Sequence, residues 1–227
     1  MPVHAGERFR TAVYPVAMTI KLVIFDFDGT LADSYAVFAD SVNVLAERHG
    51  FRRVTLDESH SLRGMSASEL LRELHLPPWK VPAVMADFRN ILQQRIHDIH
   101  PFPGVVDVLL EMLDKRIQLA LATSNTLRNV SVVLGDGLIS RFAAVECGTS
   151  LFGKSHRLRR ILKQRRTAKH EAIYVGDEIR DAEAAQEIGI TFGAVAWGYT
   201  TPEALRRTNP GRFFRVPADM LKLGEMD

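Results

Sequence analysis

Five short apolar runs, rich in β-branched and aromatic residues and separated by longer segments, constrain this chain more than any other feature of its sequence. They are KLVIFDF (21–27), IQLALAT (117–123), AAVEC (143–147), AIYVGD (172–177) and TFGAVAW (191–197). Each is too short for a typical helix and reads as a strand, apolar enough to be covered on both faces. Between the later runs the spacing predicts helices at 126–134, 155–165 and 179–188, with Gly189 placed to end the last. Strands alternating with helices in this way imply an α/β fold built on an open, doubly wound parallel sheet.

Residues 34–101 break the alternation, since they contain no strand-like run and read as successive helices. They are expected to form an inserted helical domain on a Rossmann-like core made of residues 18–33 and 102–227. Within the insertion, SASE (66–69) matches a capping box that starts a helix carrying Leu70, Leu71 and Leu74. LPPWKVP (76–82) forces a turn before a further helix at 83–98, and HPFPGV (100–105) is the hinge back into the core. Met18 stands just ahead of the first strand, so residues 1–17 read as an N-terminal extension.

Composition excludes several classes of protein. A formal net charge of +2 gives no field that would attract nucleic acid or an anionic membrane. The single cysteine, Cys147, allows neither an internal disulfide nor a cysteine-based zinc site. The eight histidines show no ligand-like spacing. No apolar run approaches the roughly 20 residues that span a bilayer, so the expectation is a soluble, cytoplasmic protein. The basic stretch KSHRLRRILKQRRTAK (154–169) has no aromatic interleaving for base stacking, and Leu158, Ile161 and Leu162 give it an apolar side. It reads as a helix with a solvated basic face.

In a parallel sheet, ligands gather beyond the carboxyl ends of the strands. Asp26, Thr123 and Asp177 occupy such ends in this reading. Carboxylates brought together there repel unless a cation or proton intervenes, and oxygen ligands favour a hard ion such as Mg²⁺. Gly29 and Thr30 let the chain turn sharply after Asp28 and aim backbone N–H groups at an anion. Taken alone, DFDGT reads equally as a strand ending in an Asp-Gly turn.

Four motifs in order carry a resemblance: DFDGTLADS (26–34), LATSN (121–125), FGKSH (152–156) and VGDEIRD (175–181). With them the chain resembles the haloacid dehalogenase superfamily, and within it the phosphoglycolate-phosphatase-like members with a helical cap, from about Lys21 to Asp219. The resemblance implies that Asp26 is a nucleophile forming an aspartyl-phosphate. It makes Asp28 the general acid and then the base, with Asp26, Asp177 and the backbone carbonyl of Asp28 holding Mg²⁺ and Asp181 acting from behind the ligands. Thr123, Ser124, Asn125, Gly29 and Lys154 are implied as phosphate-binding residues, although Asn125 reads first as a helix cap. Arg63, in LRGMSASE (62–69), is the candidate cap residue for a second anionic group on a small phosphorylated substrate such as phosphoglycolate or a sugar phosphate. A phosphomutase would share the same aspartyl-phosphate, and a non-catalytic binding or regulatory module could keep the fold. The complete set of acids, Thr123 and Lys154 argues against the module. A dehalogenase would need neither Asp28 nor a metal, and no cap lysine stands out for a phosphonatase. Nothing in the sequence fixes the oligomeric state.

Overall fold

The first apolar run folds as β1 (Leu22–Phe25), whose four residues are all buried, as a strand covered on both faces requires. The structure is a computed structural model, and it describes residues 20–55, 58, 61–148 and 153–224; the expected extension at 1–17 lies outside them. After β1 come β2 (Ala32–Asp33) and the helices α1 (Tyr35–His49), α2 (Ala67–Glu73) and α3 (Val81–Gln94). Then follow β3 (His100–Pro101), α4 (Val105–Asp114), β4 (Gln118–Ala122), α5 (Leu127–Leu134), α6 (Asp136–Ile139), β5 (Ala144–Glu146) and α7 (Gly153–Arg165). The chain continues through β6 (Ala172–Gly176), α8 (Ile179–Ile188), β7 (Thr191–Val195), α9 (Pro202–Arg207) and β8 (Arg212–Phe214). Among the described residues no helix is long and apolar enough to cross a membrane.

The main sheet has six strands in the order β5-β4-β1-β6-β7-β8, and every neighbouring pair is parallel. The α/β doubly wound sheet is therefore present, with one strand more than the five expected. That strand, β8, is three residues long, one of them an arginine, so it carries no periodic signal. It is held because Gly193 of β7 pairs with Arg212, and a Cβ at Gly193 would come 2.8 Å from the ring of Phe214.

Alternation along β1 divides the core in two. Val23 and Phe25 join α4 residues Val105, Val108, Leu109 and Met112 on one face. Leu22 and Ile24 join Leu158, Ile161 and Leu162 of α7 and Ala185 and Ile188 of α8 on the other. The basic stretch thus packs its apolar side on the sheet. Its outer arginines pair locally, Arg159 with Glu187 at 2.7 Å and Arg160 with Glu146 at 3.3 Å.

The insertion begins and ends in a two-stranded antiparallel stem that the sequence does not announce, with Ala32 opposite Pro101 and Asp33 opposite His100. α2 starts with the expected capping box: Ser66 accepts from the N–H of Glu69, and Glu69 accepts from the N–H of Ser66. The helix expected at 83–98 is α3, which starts two residues earlier with Pro82 in its first turn and stops at Gln94. The cap has its own small core around Leu45, Leu74, Leu76 and Val84. Its base is different: Val37, Leu92, Ile96 and Ile99 are packed into the same cluster as Phe27 and Leu31 of the sheet domain.

Leu109 is fully buried in that shared cluster and Leu127 is half-exposed. Urea unfolding should show Leu109→Ala destabilising by about 2–5 kcal/mol, against less than about 0.5 kcal/mol for Leu127→Ala.

Candidate active site

Parallel pairing in common register brings the ends of three strands level, because Phe25 lies opposite both Leu121 and Val175. Asp26, Thr123 and Asp177 follow those ends directly, where β1 has β4 on one side and β6 on the other, the switch point of the sheet. The N–H of Asp26 donates to the carbonyl of Val175 at 2.9 Å. Asp26, Asp177 and Asp181 are buried, and carboxylate oxygens of all three lie within 4.8 Å of one another. Asp181 therefore stands closer than the sequence suggested, as a third member of the cluster. It is seated in the first turn of α8, where it accepts from the N–H of Glu178 at 3.0 Å and from the hydroxyl of Tyr174 at 2.9 Å.

Lys154, at the start of α7, sends its ammonium into the cluster. It donates to Asp26 Oδ2 at 2.5 Å and to Asp181 Oδ1, with Glu178 3.6 Å away. Asp177 is held from the opposite side. Thr30 Oγ1 donates to its Oδ1 at 2.7 Å, and the N–H of Tyr199 donates to its Oδ2 at 2.7 Å. Outer partners of this kind fix the orientation of a ligating carboxylate.

The turn after Asp28 differs from expectation. The N–H of Gly29 donates to Ala32 O at 2.9 Å and that of Thr30 to Phe27 O at 3.2 Å. Those two N–H groups close the turn and are not available to a phosphate. Gly29, at φ +77°, instead makes room, since a Cβ there would collide with Asp177 and with the ring of Tyr199.

Asp28 has a fixed set of donors. Ser34 Oγ donates to its Oδ1 at 3.0 Å, and Asn125 Nδ2 lies 3.3 Å from Oδ1 and 3.1 Å from Oδ2. The amide of Asn125 cannot be turned over without loss. Its Oδ1 already accepts from Asn129 Nδ2 and from the N–H of Thr126, both at 2.8 Å. Asn125 thus holds Asp28, and the helix cap expected of it belongs to Thr126, which accepts from the N–H of Asn129. Thr123 accepts the N–H of Asn125 at 2.9 Å on its hydroxyl oxygen, which leaves its O–H to donate elsewhere. Ser124, beside it, is half-buried.

Arg63 is bonded to the loop after β7. Its Nε donates to Tyr199 O at 2.8 Å and its Nη2 to Gly198 O at 2.6 Å, while its guanidinium lies 4.6 Å from the ring centroid of Tyr35. It ties the cap to the loop that holds Asp177. The sequence singles out Thr30 only as a turn residue and gives no role to Ser34, Asn129 or Tyr199. Thr30 and Ser34 lie within the DFDGTLADS stretch, and Tyr199 follows the end of β7, so the strand-end rule applied to every strand would have pointed to it.

A family model described as haloacid dehalogenase-like hydrolase matches residues 23–195. A phosphoglycolate phosphatase of Synechococcus elongatus is 30% identical over 204 residues, covering 89% of this chain and 96% of that protein. One from Agrobacterium fabrum is 30% identical, covering 79% and 82%. A haloacid dehalogenase-like family hydrolase from Streptococcus pneumoniae superposes with a TM-score of 0.74 at 21% identity, over 91% of this chain and 99% of the other. CbbY from Rhodobacter sphaeroides, solved in complex with phosphate, superposes with a TM-score of 0.68 at 20% identity, over 88% and 96%.

Three buried carboxylates around one ammonium leave an excess of negative charge, and this donor set fits a hard divalent cation. Without one, a proton must serve. Burial pushes Asp26 up from 3.8 to about 7, against the pull of Lys154. Burial, with Glu178, Asp181 and Asp26 adding to it, puts Asp177 well above the carboxylate range. Burial also raises Asp28, which Asn125 and Ser34 partly offset. Carboxyls raised in the folded state favour folding while protonated, so their contribution is complete below about 4 and is lost as pH rises through about 7. Cation-free protein should therefore have a lower Tm at pH 8 than at pH 5.5, and Asp177→Asn should flatten that dependence in a thermal melt.

Proposed function

The chain belongs to the haloacid dehalogenase-like hydrolases, and on that premise we propose that it is a Mg²⁺-dependent phosphatase acting on small phosphate monoesters, with an aspartyl-phosphate formed on Asp26. The observation that carries this reading is the buried cluster of Asp26, Asp177 and Asp181 at the strand ends, with Lys154 bonded to Asp26. The relatives named as phosphoglycolate phosphatases support phosphoglycolate, or a sugar phosphate of similar size, as the substrate class.

Asp26 and Asp177, with the backbone carbonyl of Asp28 and with Asp181 adjoining, would hold the cation. When bound, Mg²⁺ offsets the repulsion between the phosphate and the carboxylates. The chain's own groups do the rest. A carboxylate oxygen of Asp26 attacks phosphorus as the bond to the ester oxygen breaks. Lys154 balances charge on Asp26 and on the phosphoryl group, and the hydroxyls of Thr123 and Ser124 supply donors to its oxygens. Asp28, in its protonated form, gives its proton to the departing oxygen. The resulting carboxylate then takes a proton from water as that water attacks the aspartyl-phosphate, releasing phosphate and restoring Asp26. Burial helps the first of these steps, because it favours the protonated form of Asp28. The cap above the site excludes bulk water from the aspartyl-phosphate until product has left.

Phosphate release from a panel of small monoesters should require Mg²⁺ and stop with EDTA. Asp26→Asn should fall to background, and metal-independent release or normal turnover by that variant would refute the mechanism. Asp28→Asn loses two proton transfers, each typically worth about 10²- to 10⁴-fold, so its kcat should drop by at least about 10²-fold on a phosphoglycolate-type ester.

A further inference from the structure

Tyr199 touches the site and the cap at once. Its N–H holds Asp177 Oδ2 at 2.7 Å, and its carbonyl accepts Arg63 Nε at 2.8 Å. Its ring stacks on Phe38 at 5.3 Å between centroids and meets the edge of Tyr35 at 5.5 Å, both residues of cap helix α1. Its hydroxyl lies 2.8 Å from Ser34 Oγ, which in turn donates to Asp28 Oδ1 at 3.0 Å.

The protons in this chain can be counted. While Asp28 is a carboxylate its Oδ1 receives the one hydroxyl hydrogen of Ser34, and Tyr199 is then the donor to Ser34 Oγ; with Asp28 protonated the chain can run in either direction. Both oxygens of Asp28 therefore have a donor, Ser34 Oγ on Oδ1 at 3.0 Å and Asn125 Nδ2 on Oδ2 at 3.1 Å. Asn125 fixes the plane of the carboxyl from the other side. Resting on the phosphatase reading above, we propose that Tyr199 is a positioning residue for the proton transfer by Asp28: through Ser34 it fixes the orientation of the Asp28 carboxyl, and its packing on Phe38 and Tyr35 of α1 holds it in place to do so.

The test separates protonation of the leaving group from everything else. Tyr199→Phe keeps the ring packing and the backbone bonds and removes only the hydroxyl. Its kcat/KM, which reports the steps through departure of the leaving group, is measured on 2-phosphoglycolate and on p-nitrophenyl phosphate with saturating Mg²⁺. An alkoxide leaves poorly without a proton, whereas nitrophenolate needs none. The loss of one hydrogen bond from the chain predicts a roughly 3- to 10-fold fall on 2-phosphoglycolate and less than about a twofold change on the nitrophenyl ester. Ser34→Ala, one link nearer Asp28, should show the same selective loss, and the double variant should be no worse than the worse single one, as members of one chain require. Equal losses on both esters, no loss on either, or losses that add in the double variant would overturn the role assigned to Tyr199 and leave the phosphatase reading intact. A wild-type protein that hydrolyses neither ester with Mg²⁺ would overturn the phosphatase reading, and this role with it.

Discussion

Three carboxylates shut away from water at neighbouring strand ends set the terms for much of this molecule. At an effective dielectric of ~20, two like charges about 5 Å apart repel by about 3 kcal/mol, so Asp26, Asp177 and Asp181 cannot all be ionised there without cations close by. Lys154 supplies one. The remaining excess is what draws a proton onto the cluster or makes a place for a divalent ion. The close approach also dictates small residues around it: a Cβ on Gly29 or Gly198 would run into Asp177, and one on Gly176 would run into Asp181. These three glycines lie on separate segments and share a single cause.

The same crowding explains how the loop after β7 comes to matter. Asp177 needs donors on both oxygens, and the second comes from the N–H of Tyr199, so this loop must lie across the end of β6. Trp197 anchors it, donating from its indole N–H to Thr30 O at 3.0 Å. Thr30 is the other donor to Asp177. The turn after β1 and the loop after β7 therefore brace each other, with the carboxylate of Asp177 between them. Arg63 joins the insertion to this brace by its two carbonyl contacts.

How much of this was legible depended on the strength of each local pattern. β1 and β6 announced themselves because a parallel strand buried on both faces has to be apolar along its whole length, and Asp26 and Asp177 stood out against that background. β8 and the stem strands did not, since two or three residues carry no period and Pro101 argues against a strand. Gly189 and the Ser66 capping box were readable from sequence because both are local, one a left-handed residue at a helix end and the other a bond over three positions. The partners of Arg63, Asn125 and Tyr199 were not, because they lie far along the chain and a single side chain gives no hint of which carbonyl or carboxylate will face it. Asn125 shows the difficulty well: next to a helix start it resembles a cap, and only the fold reveals that Asp28, 97 residues away, takes its amide.

The position of the insertion ties these observations together. The chain leaves the core through β2 and returns through β3, so the stem, with Asp33 opposite His100, joins the insertion to the sheet domain. Ser34 is the first residue beyond that stem, and it is also the donor to Asp28. An insertion elsewhere in the sheet domain would not reach the carboxyl of Asp28 through so short a path. Here one residue lies between the stem and α1, and its hydroxyl connects Asp28 to Tyr199, whose ring is packed on α1 itself. The apolar packing of α1 on the sheet domain and the hydrogen-bonded arrangement around Asp28 therefore share one contact surface.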